Sequence, residues 1–184
     1  MKKLRVGIIG VGKISGIYLE NLTKMFSSVV QVVGVVDLLA QRAAEIAQTF
    51  KIQQYADVKA MLADPEIDLV LNLTTPQSHY SLCKQALEAG KHVYVEKPLS
   101  LTVEQASELV DLASSKGLIL GGAPDTFLGA GIQTCRKLID DGWIGRPIGA
   151  SAFMMNHGHE SWHPDPEFYY KQGGGPLIDM GPYY

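Results

Sequence analysis

The fold is decided by residues 4–15, which read LRVGIIGVGKIS. Their apolar run, residues 6–9, is typical of a buried parallel strand, because helices cover both faces of such a strand. Gly10 and Gly12 follow, and a glycine turn at this point lets the backbone approach a bound pyrophosphate at the start of the next helix. Ser15 takes the third small position, where glycine or alanine is usual. The predicted cofactor contacts of the turn are Gly10, Gly12, Lys13 and Ile14.

A second apolar run, residues 29–36, ends at Asp37, which lies 25 residues after Gly12. In dinucleotide-binding folds a carboxylate near this spacing accepts hydrogen bonds from the adenosine ribose. Leu38 and Leu39 come next and offer no cation to a 2′-phosphate, so NAD is predicted as the cofactor in preference to NADP. The alternative interpretation of Asp37 is an ordinary turn residue at the end of a strand.

Composition limits the classes of protein to consider. The 184 residues are 46% hydrophobic and 19% charged, which is ordinary for a globular protein with a sizeable core. The net charge of −3 gives no support to a nucleic-acid partner. Cys83 and Cys135 stand alone and fit no metal spacing. No apolar stretch reaches the ~18 residues of a membrane span. We predict a cytoplasmic protein without a metal, a membrane or a nucleic-acid partner.

The next part of the chain alternates between apolar runs and helix-like patterns. Thr102 and Gln105 form a capping box at the start of one of these helices. Such alternation predicts an α/β fold with a doubly wound parallel sheet. The further predicted strands are residues 69–73, 92–95 and 118–120, and the predicted helices are residues 14–25, 40–50 and 78–89, with one more after Thr102.

The pattern changes after Gly121 and Gly122. A helix is predicted over residues 126–141 and a strand over residues 148–155, followed by chain rich in glycine, proline, histidine and aromatic residues. We therefore predict two domains: a dinucleotide-binding Rossmann domain over residues 1–122 and the beginning of an α+β substrate domain over residues 123–184.

Polar residues gather where the predicted strands end. Open doubly wound sheets bind ligands beyond the carboxyl ends of their strands. A buried core explains the strands but not the polar residues at their tips, so we predict a ligand site there. Besides the glycine turn and Asp37, its predicted members are Thr74, Thr75, Pro76, His79, Glu96 and Lys97.

Several motifs occur in a fixed order: GVGKIS at residues 10–15, Asp37, TTP at residues 74–76 with His79, AGKHV at residues 89–93, EKP at residues 96–98, and GGGPLID at residues 173–179. Together they resemble the glucose–fructose oxidoreductase / inositol dehydrogenase (Gfo/Idh/MocA) family. The resemblance implies a Rossmann domain followed by a domain whose open sheet often forms an oligomer interface, so the full-length protein is expected to be a homo-oligomer. The chain ends where that sheet should continue, and we expect the second domain to be truncated, either because the sequence is a fragment or because the product lacks most of its substrate domain.

The resemblance also implies an activity: NAD(P)-dependent oxidation or reduction of a hydroxyl or carbonyl carbon on a sugar, a polyol or a related small molecule. It implies that Glu96 lies near the nicotinamide ribose and that Lys97 acts as acid and base beside the reacting carbon. A free lysine is a poor base at neutral pH, and loss of water beside a cationic nicotinamide would make it a better one. Asp179 matches the acidic partner. Tyr183 stands where the family usually has histidine, and either a proton relay or a purely structural role is expected.

A competing motif, HESWH at residues 159–163, matches the zinc-protease pattern HExxH. That chemistry needs both histidines on one helical face, whereas Gly158 precedes the motif and Pro164 follows it, which biases His163 away from helical angles. We predict loop residues here, some of them lining a sugar pocket with Trp162.

Two other classes of function stay open. An NAD-dependent glycoside hydrolase would cleave a sugar through transient oxidation, with no net turnover of the cofactor. A non-catalytic regulatory protein would bind the dinucleotide and nothing more. The three functions can be distinguished by experiment. An oxidoreductase forms NADH, a glycoside hydrolase releases product at constant NADH, and a regulatory protein only binds the dinucleotide.

Overall fold

The structure is a computed structural model of the 184-residue chain. It describes residues 2–124, 126–161, 163, 166–171 and 173–183. The chain forms two compact units, Met1–Ala123 and Pro124–Tyr184. Within the described ranges, none of the helices combines the length and apolar character needed to cross a membrane.

The first unit is built on a six-stranded sheet in which all neighbouring strands are parallel. The strand order is β3-β2-β1-β4-β5-β6. The order reverses between β1 and β4, and this switch point is where doubly wound sheets bind ligands. The predicted doubly wound sheet is therefore confirmed. The strands are β1 Leu4–Ile9, β2 Val30–Val36, β3 Gln53–Gln54, β4 Leu69–Asn72, β5 His92–Val95 and β6 Leu120–Gly122.

Helices cover both faces of this sheet. Successive side chains of a strand point to opposite faces, and on β4 Leu71 joins one core cluster while Val70 joins the other. Leu19 of α1 packs in the first cluster, and Leu87 of α4 packs in the second. The helices are α1 Ser15–Glu20, which continues into a π-helical turn at Asn21–Met25, then α2 Ala40–Phe50, α3 Val58–Ala63, α4 Pro76–Glu88 and α5 Val103–Ser115.

The last strand of the sheet begins two residues later than predicted. The N–H of Leu118 donates to the carbonyl of Ala113 at 2.9 Å, and the N–H of Ile119 donates to Nδ1 of His92 at 3.0 Å. The N–H of Leu118 is thus used to end α5, and the N–H of Ile119 is used by the side chain of His92. Strand pairing with β5 therefore starts one residue later, where Leu120 faces Val93.

The described residues of the second unit form the α-helix α6 Ala130–Asp140 and short helical turns at Thr126–Leu128, Pro166–Tyr170, Pro176–Met180 and Gly181–Tyr183. The strand predicted over residues 148–155 is wrong, because this stretch has no regular structure and Ile148 is 99% exposed. A strand needs a neighbour for its backbone groups, and the described part of this unit offers none.

The HESWH motif is not helical in its described part, residues 159–161 and 163. A single turn links the N–H of His163 to the carbonyl of His159 at 2.9 Å. Trp162, predicted to line a sugar pocket, lies outside the described residues, as does Pro164.

At the N-terminal ends of the strands, away from the predicted site, an ion pair joins β1 to the residue before β4. Arg5 on β1 donates through Nε to Oδ2 of Asp68 at 2.9 Å and through Nη2 to Oδ1 at 2.7 Å. The backbone N–H of Arg5 also donates to Oδ2, at 3.0 Å. These hydrogen bonds from Arg5 hold the pKa of the Asp68 carboxyl well below its usual range.

We expect Asp68→Asn to lower the unfolding midpoint by several degrees at neutral pH. Because the folded-state pKa is depressed, the carboxylate stabilises the fold above its unfolded pKa, and this contribution is lost as the pH falls below about 4. Urea denaturation at several pH values should therefore show a difference between wild type and variant that shrinks in acid. Glu108→Gln, which breaks an exposed pair with Lys84, is the control and should change little. A difference for Asp68→Asn that does not depend on pH would contradict the argument.

Candidate functional site

The predicted site residues of the first unit lie after neighbouring strands of one sheet. The glycine turn follows β1, Asp37 follows β2, Thr74 follows β4, and Glu96 follows β5. Because the strands are parallel, all these positions lie at the same edge, on both sides of the switch point between β1 and β4.

The turn after β1 uses glycine for two different reasons. Gly10 has a φ of +88°, and a Cβ there would lie 2.9 Å from both Cγ2 and the backbone nitrogen of Thr74. A Cβ at Gly12 would meet no protein atom within 4 Å. Gly10 is therefore required by the fold, whereas Gly12 leaves open space above the backbone, which a ligand can approach. Lys13 and Ile14 are exposed beside it.

Ser15 is the first residue of α1 and is 1% exposed. Its Oγ donates to the carbonyl of Gly12 at 2.7 Å, and its N–H donates to the same oxygen at 3.1 Å. The serine at the third small position therefore closes the turn with a hydrogen bond, which glycine or alanine could not supply.

The carboxylate after β2 is fixed by two backbone groups. Oδ2 of Asp37 accepts from the N–H of Val11 at 2.8 Å, and Oδ1 accepts from the N–H of Leu39 at 2.8 Å. Each carboxylate oxygen can accept a second hydrogen bond, so Asp37 keeps capacity for hydroxyl donors. Leu38 beside it is fully exposed.

A buried amide organises the end of β4. Oδ1 of Asn72 accepts from Oγ1 of Thr74 at 2.7 Å and from its N–H at 3.2 Å. Nδ2 of Asn72 donates to the carbonyl of His79 at 3.3 Å and to Sγ of Cys83 at 3.4 Å. Burial raises the pKa of the Cys83 thiol to about 11. Asn72 is not among the predicted site residues, although a polar residue inside an apolar run is a usable signal, since buried polar groups need partners.

The start of α4 lies two residues earlier than predicted. Thr75 is the N-cap and Pro76 is the first helical residue, a position that suits proline because its missing N–H would have no helical partner. Thr75 is exposed and Pro76 is half-buried at this edge of the sheet.

His79 lies beneath the surface of the site, with no exposed area. Its Nδ1 is 2.6 Å from the carbonyl oxygen of Pro98, and its Nε2 is 3.0 Å from the carbonyl oxygen of Thr74. Carbonyl oxygens only accept, so a neutral ring donates to one of them and an imidazolium donates to both. The ring therefore ties the segment after β4 to the segment after β5. The role of His79 in cofactor binding stays a prediction.

The segment after β5 is held through its acidic residue. Oε1 of Glu96 accepts from the hydroxyl of Tyr18 at 2.7 Å, and Oε2 accepts from the backbone N–H of Lys97 at 3.0 Å. Glu96 and Lys97 are both half-buried, and the Lys97–Pro98 peptide bond is cis. Tyr18 lies within the helix predicted over residues 14–25, where it recurs at helical spacing with apolar residues, and no sequence signal separates a site tyrosine from a core tyrosine at that spacing.

Asp179 and Tyr183 belong to the second unit, four residues apart in consecutive short helical turns, and both are half-buried. In the same unit the ring of Tyr169 is buried against His159, with ring centroids 4.0 Å apart. Burial, and then the charge of Asp179, raises the pKa of Tyr169. The roles of Asp179 and Tyr183 beside Lys97 stay predictions.

Comparison with known proteins gives the family. The sequence model of an oxidoreductase family with an NAD-binding Rossmann fold, Gfo/Idh/MocA, matches residues 4–122. The chain belongs to this family. The model of the Gfo/Idh/MocA C-terminal domain matches residues 132–184. The predicted family membership and the Rossmann fold are thus confirmed.

Several relatives in the Gfo/Idh/MocA family have names that state an activity on a sugar or a polyol. The inositol 2-dehydrogenase/D-chiro-inositol 3-dehydrogenase of Lactiplantibacillus plantarum is 32% identical over 170 residues, which cover 90% of this chain and 46% of that protein. The 1,5-anhydro-D-fructose reductase of Ensifer adhaerens is 32% identical over 181 residues, which cover 96% of this chain and 53% of that protein. The chain spans about half the length of the curated relatives it matches.

A solved structure agrees with this fold over almost the whole chain. The NAD-binding protein from Listeria innocua is 26% identical, with a TM-score of 0.79, and the match covers 99% of this chain and 52% of that one.

Proposed function

We propose that the protein is an NAD-dependent oxidoreductase that transfers a hydride between the cofactor and a hydroxyl or carbonyl carbon of a sugar, a polyol or a related small molecule. Family membership and the names of the relatives support this activity. The observation that carries it is the open space over Gly12 at the switch point, beside the fixed carboxylate of Asp37. Reduction of NAD in the presence of a sugar and polyol panel, followed at the NADH absorbance band, tests it. A full-length protein that binds NAD but reduces none with any member of the panel would contradict it.

The residues at this edge suit a dinucleotide. The backbone at Gly12 can be approached closely, as a pyrophosphate requires. Asp37 presents oxygens that accept from ribose hydroxyls, and its negative charge disfavours the 2′-phosphate of NADP. The bound cofactor would supply the hydride acceptor for oxidation and the hydride donor for reduction.

The proton chemistry is assigned to Lys97. When a C–OH group is oxidised, the hydride leaves carbon, the hydroxyl proton leaves oxygen and a carbonyl forms. Nζ of Lys97 accepts that proton in oxidation and returns it to the oxygen in reduction. Asp179 orients the substrate or Lys97, and Tyr183 relays a proton or holds a substrate hydroxyl.

The domain assignment and the wider context are part of the same proposal. The chain divides at Ala123 and Pro124, one residue from the proposed boundary between residues 1–122 and 123–184. We also propose, as predicted above, that the substrate is a small molecule, that the full-length protein is a homo-oligomer and that it is located in the cytoplasm.

Cofactor preference gives a test of Asp37. We expect Asp37→Asn, which keeps an acceptor oxygen and removes the charge, to reduce the preference for NAD over NADP by about tenfold, because repulsion of the 2′-phosphate is lost. Calorimetric titration with both dinucleotides measures the preference. Asp111→Asn removes the same charge from an exposed position on α5 and serves as the control. An unchanged preference, or an equal change in the control, would contradict the assignment.

A further inference from the structure

A side-chain hydrogen bond links segments on the two sides of the switch point of the sheet. The hydroxyl of Tyr18 on α1 donates to Oε1 of Glu96, the residue that follows β5, at 2.7 Å. α1 follows β1, and β4 lies between β1 and β5 in the sheet. The bond therefore connects elements on the two sides of β4 at the edge where the site residues gather.

Both partners of this bond are held by other contacts. Tyr18 packs against the core cluster that contains Val11 and Leu19, and this packing restricts the movement of its ring. The second oxygen of Glu96 accepts from the backbone N–H of Lys97 at 3.0 Å, and the N–H of Glu96 donates to the carbonyl of Asn72 at 3.0 Å. Rotation of the carboxylate would therefore break a hydrogen bond on each side.

We propose that Tyr18 is a positioning residue that sets the orientation of the Glu96 carboxylate toward the nicotinamide half of the cofactor. This inference rests on the proposed function and on the family resemblance, which implies that the nicotinamide half of the cofactor lies near Glu96 and Lys97. A phenylalanine at this position keeps the packing and loses the hydrogen bond. The carboxylate then gains rotational freedom in the free protein, and this freedom has to be given up again on binding.

The chain contains a matched control for the loss of a tyrosine–glutamate bond. The hydroxyl of Tyr80 on α4 donates to Oε2 of Glu108 on α5 at 2.5 Å. This pair joins two helices on the outer surface of the first unit. Tyr80→Phe therefore removes the same type of bond without touching the strand tips.

The experiment compares two ligands across these variants by calorimetric titration. NAD contains both halves of the dinucleotide, whereas ADP carries the adenosine and the pyrophosphate without the nicotinamide or its ribose. We expect Tyr18→Phe to weaken NAD about five- to tenfold and ADP by less than about twofold. Tyr80→Phe should change neither affinity, and thermal unfolding should show that both variants are folded.

A double-mutant cycle tests whether Tyr18 acts through Glu96. Tyr18→Phe should have little further effect on NAD affinity in a Glu96→Ala background, since the acceptor is already absent. Equal losses for NAD and ADP, no loss for NAD, or additive losses in the cycle would overturn the inference. A wild-type protein that does not bind NAD would overturn the proposed function as well, so the two failures are distinguishable.

Discussion

A Lys97→Met variant is expected to lose about 10²- to 10⁴-fold in the rate of hydride transfer while it binds NAD as tightly as the wild type. Methionine has a similar length but no group that accepts a proton. The bond that Lys97 gives to Glu96 comes from its backbone N–H, which methionine retains, so the carboxylate stays in place. Steady-state turnover and calorimetric titration, measured on the same preparation, separate the two effects.

Lys91 provides the matched control at the other end of the same strand. Nζ of Lys91 donates to the carbonyls of Asp64 and Ile67 at 2.7 and 2.9 Å. Lys91→Met should lower the free energy of unfolding by about 1–3 kcal/mol, because buried acceptors lose their donor. The turnover of its folded molecules should stay unchanged. A Lys97→Met enzyme that works at the wild-type rate would remove Lys97 from the mechanism.

Alanine substitutions in the glycine turn should separate folding from ligand binding. Gly12→Ala is expected to leave the unfolding midpoint unchanged and to weaken NAD binding by more than about tenfold, because its Cβ meets no protein atom and occupies the space over the turn. Gly10→Ala should instead destabilise the fold, because its φ is +88° and its Cβ would lie 2.9 Å from the Thr74 backbone. Thermal unfolding and NAD titration measure the two effects.

Gly131→Ala is the control for this series. Gly131 lies on α6 in the second unit, and a Cβ there also meets no atom within 4 Å. Alanine should slightly favour the helix and leave NAD affinity unchanged. Wild-type NAD affinity in Gly12→Ala would show that the pyrophosphate does not lie over the turn.

The sheet was predictable where local pattern and tertiary contacts agree. The bounds of β5 and α2 match the predicted residues 92–95 and 40–50, because apolar runs and helical spacing coincide with burial there. The start of β6 was not predictable, since the N–H of Ile119 bonds to a histidine ring 27 residues away. Residues 148–155 have the pattern of a strand but no neighbouring strand among the described residues of their unit.

The site was predictable in outline because the tips of parallel strands share one edge. The contacts that hold it were not. Tyr18 and Asn72 both sit within apolar patterns, and only the fold shows that one meets Glu96 and the other meets Thr74. The sequence pattern also did not indicate that the buried ring of His79 lies between the carbonyls of Pro98 and Thr74.

Transfer of a hydride from a sugar or polyol to NAD is tested most directly by mixing the full-length protein with NAD and a panel of these compounds, and by measuring NADH absorbance and product together. We predict that at least one compound yields NADH and a carbonyl product in equal amounts. Lys97→Met should yield neither. Product release at constant NADH would indicate a glycoside hydrolase, and binding without reaction would indicate a regulatory protein. Either result would contradict the oxidoreductase, and a failure to bind NAD would contradict the dinucleotide site itself.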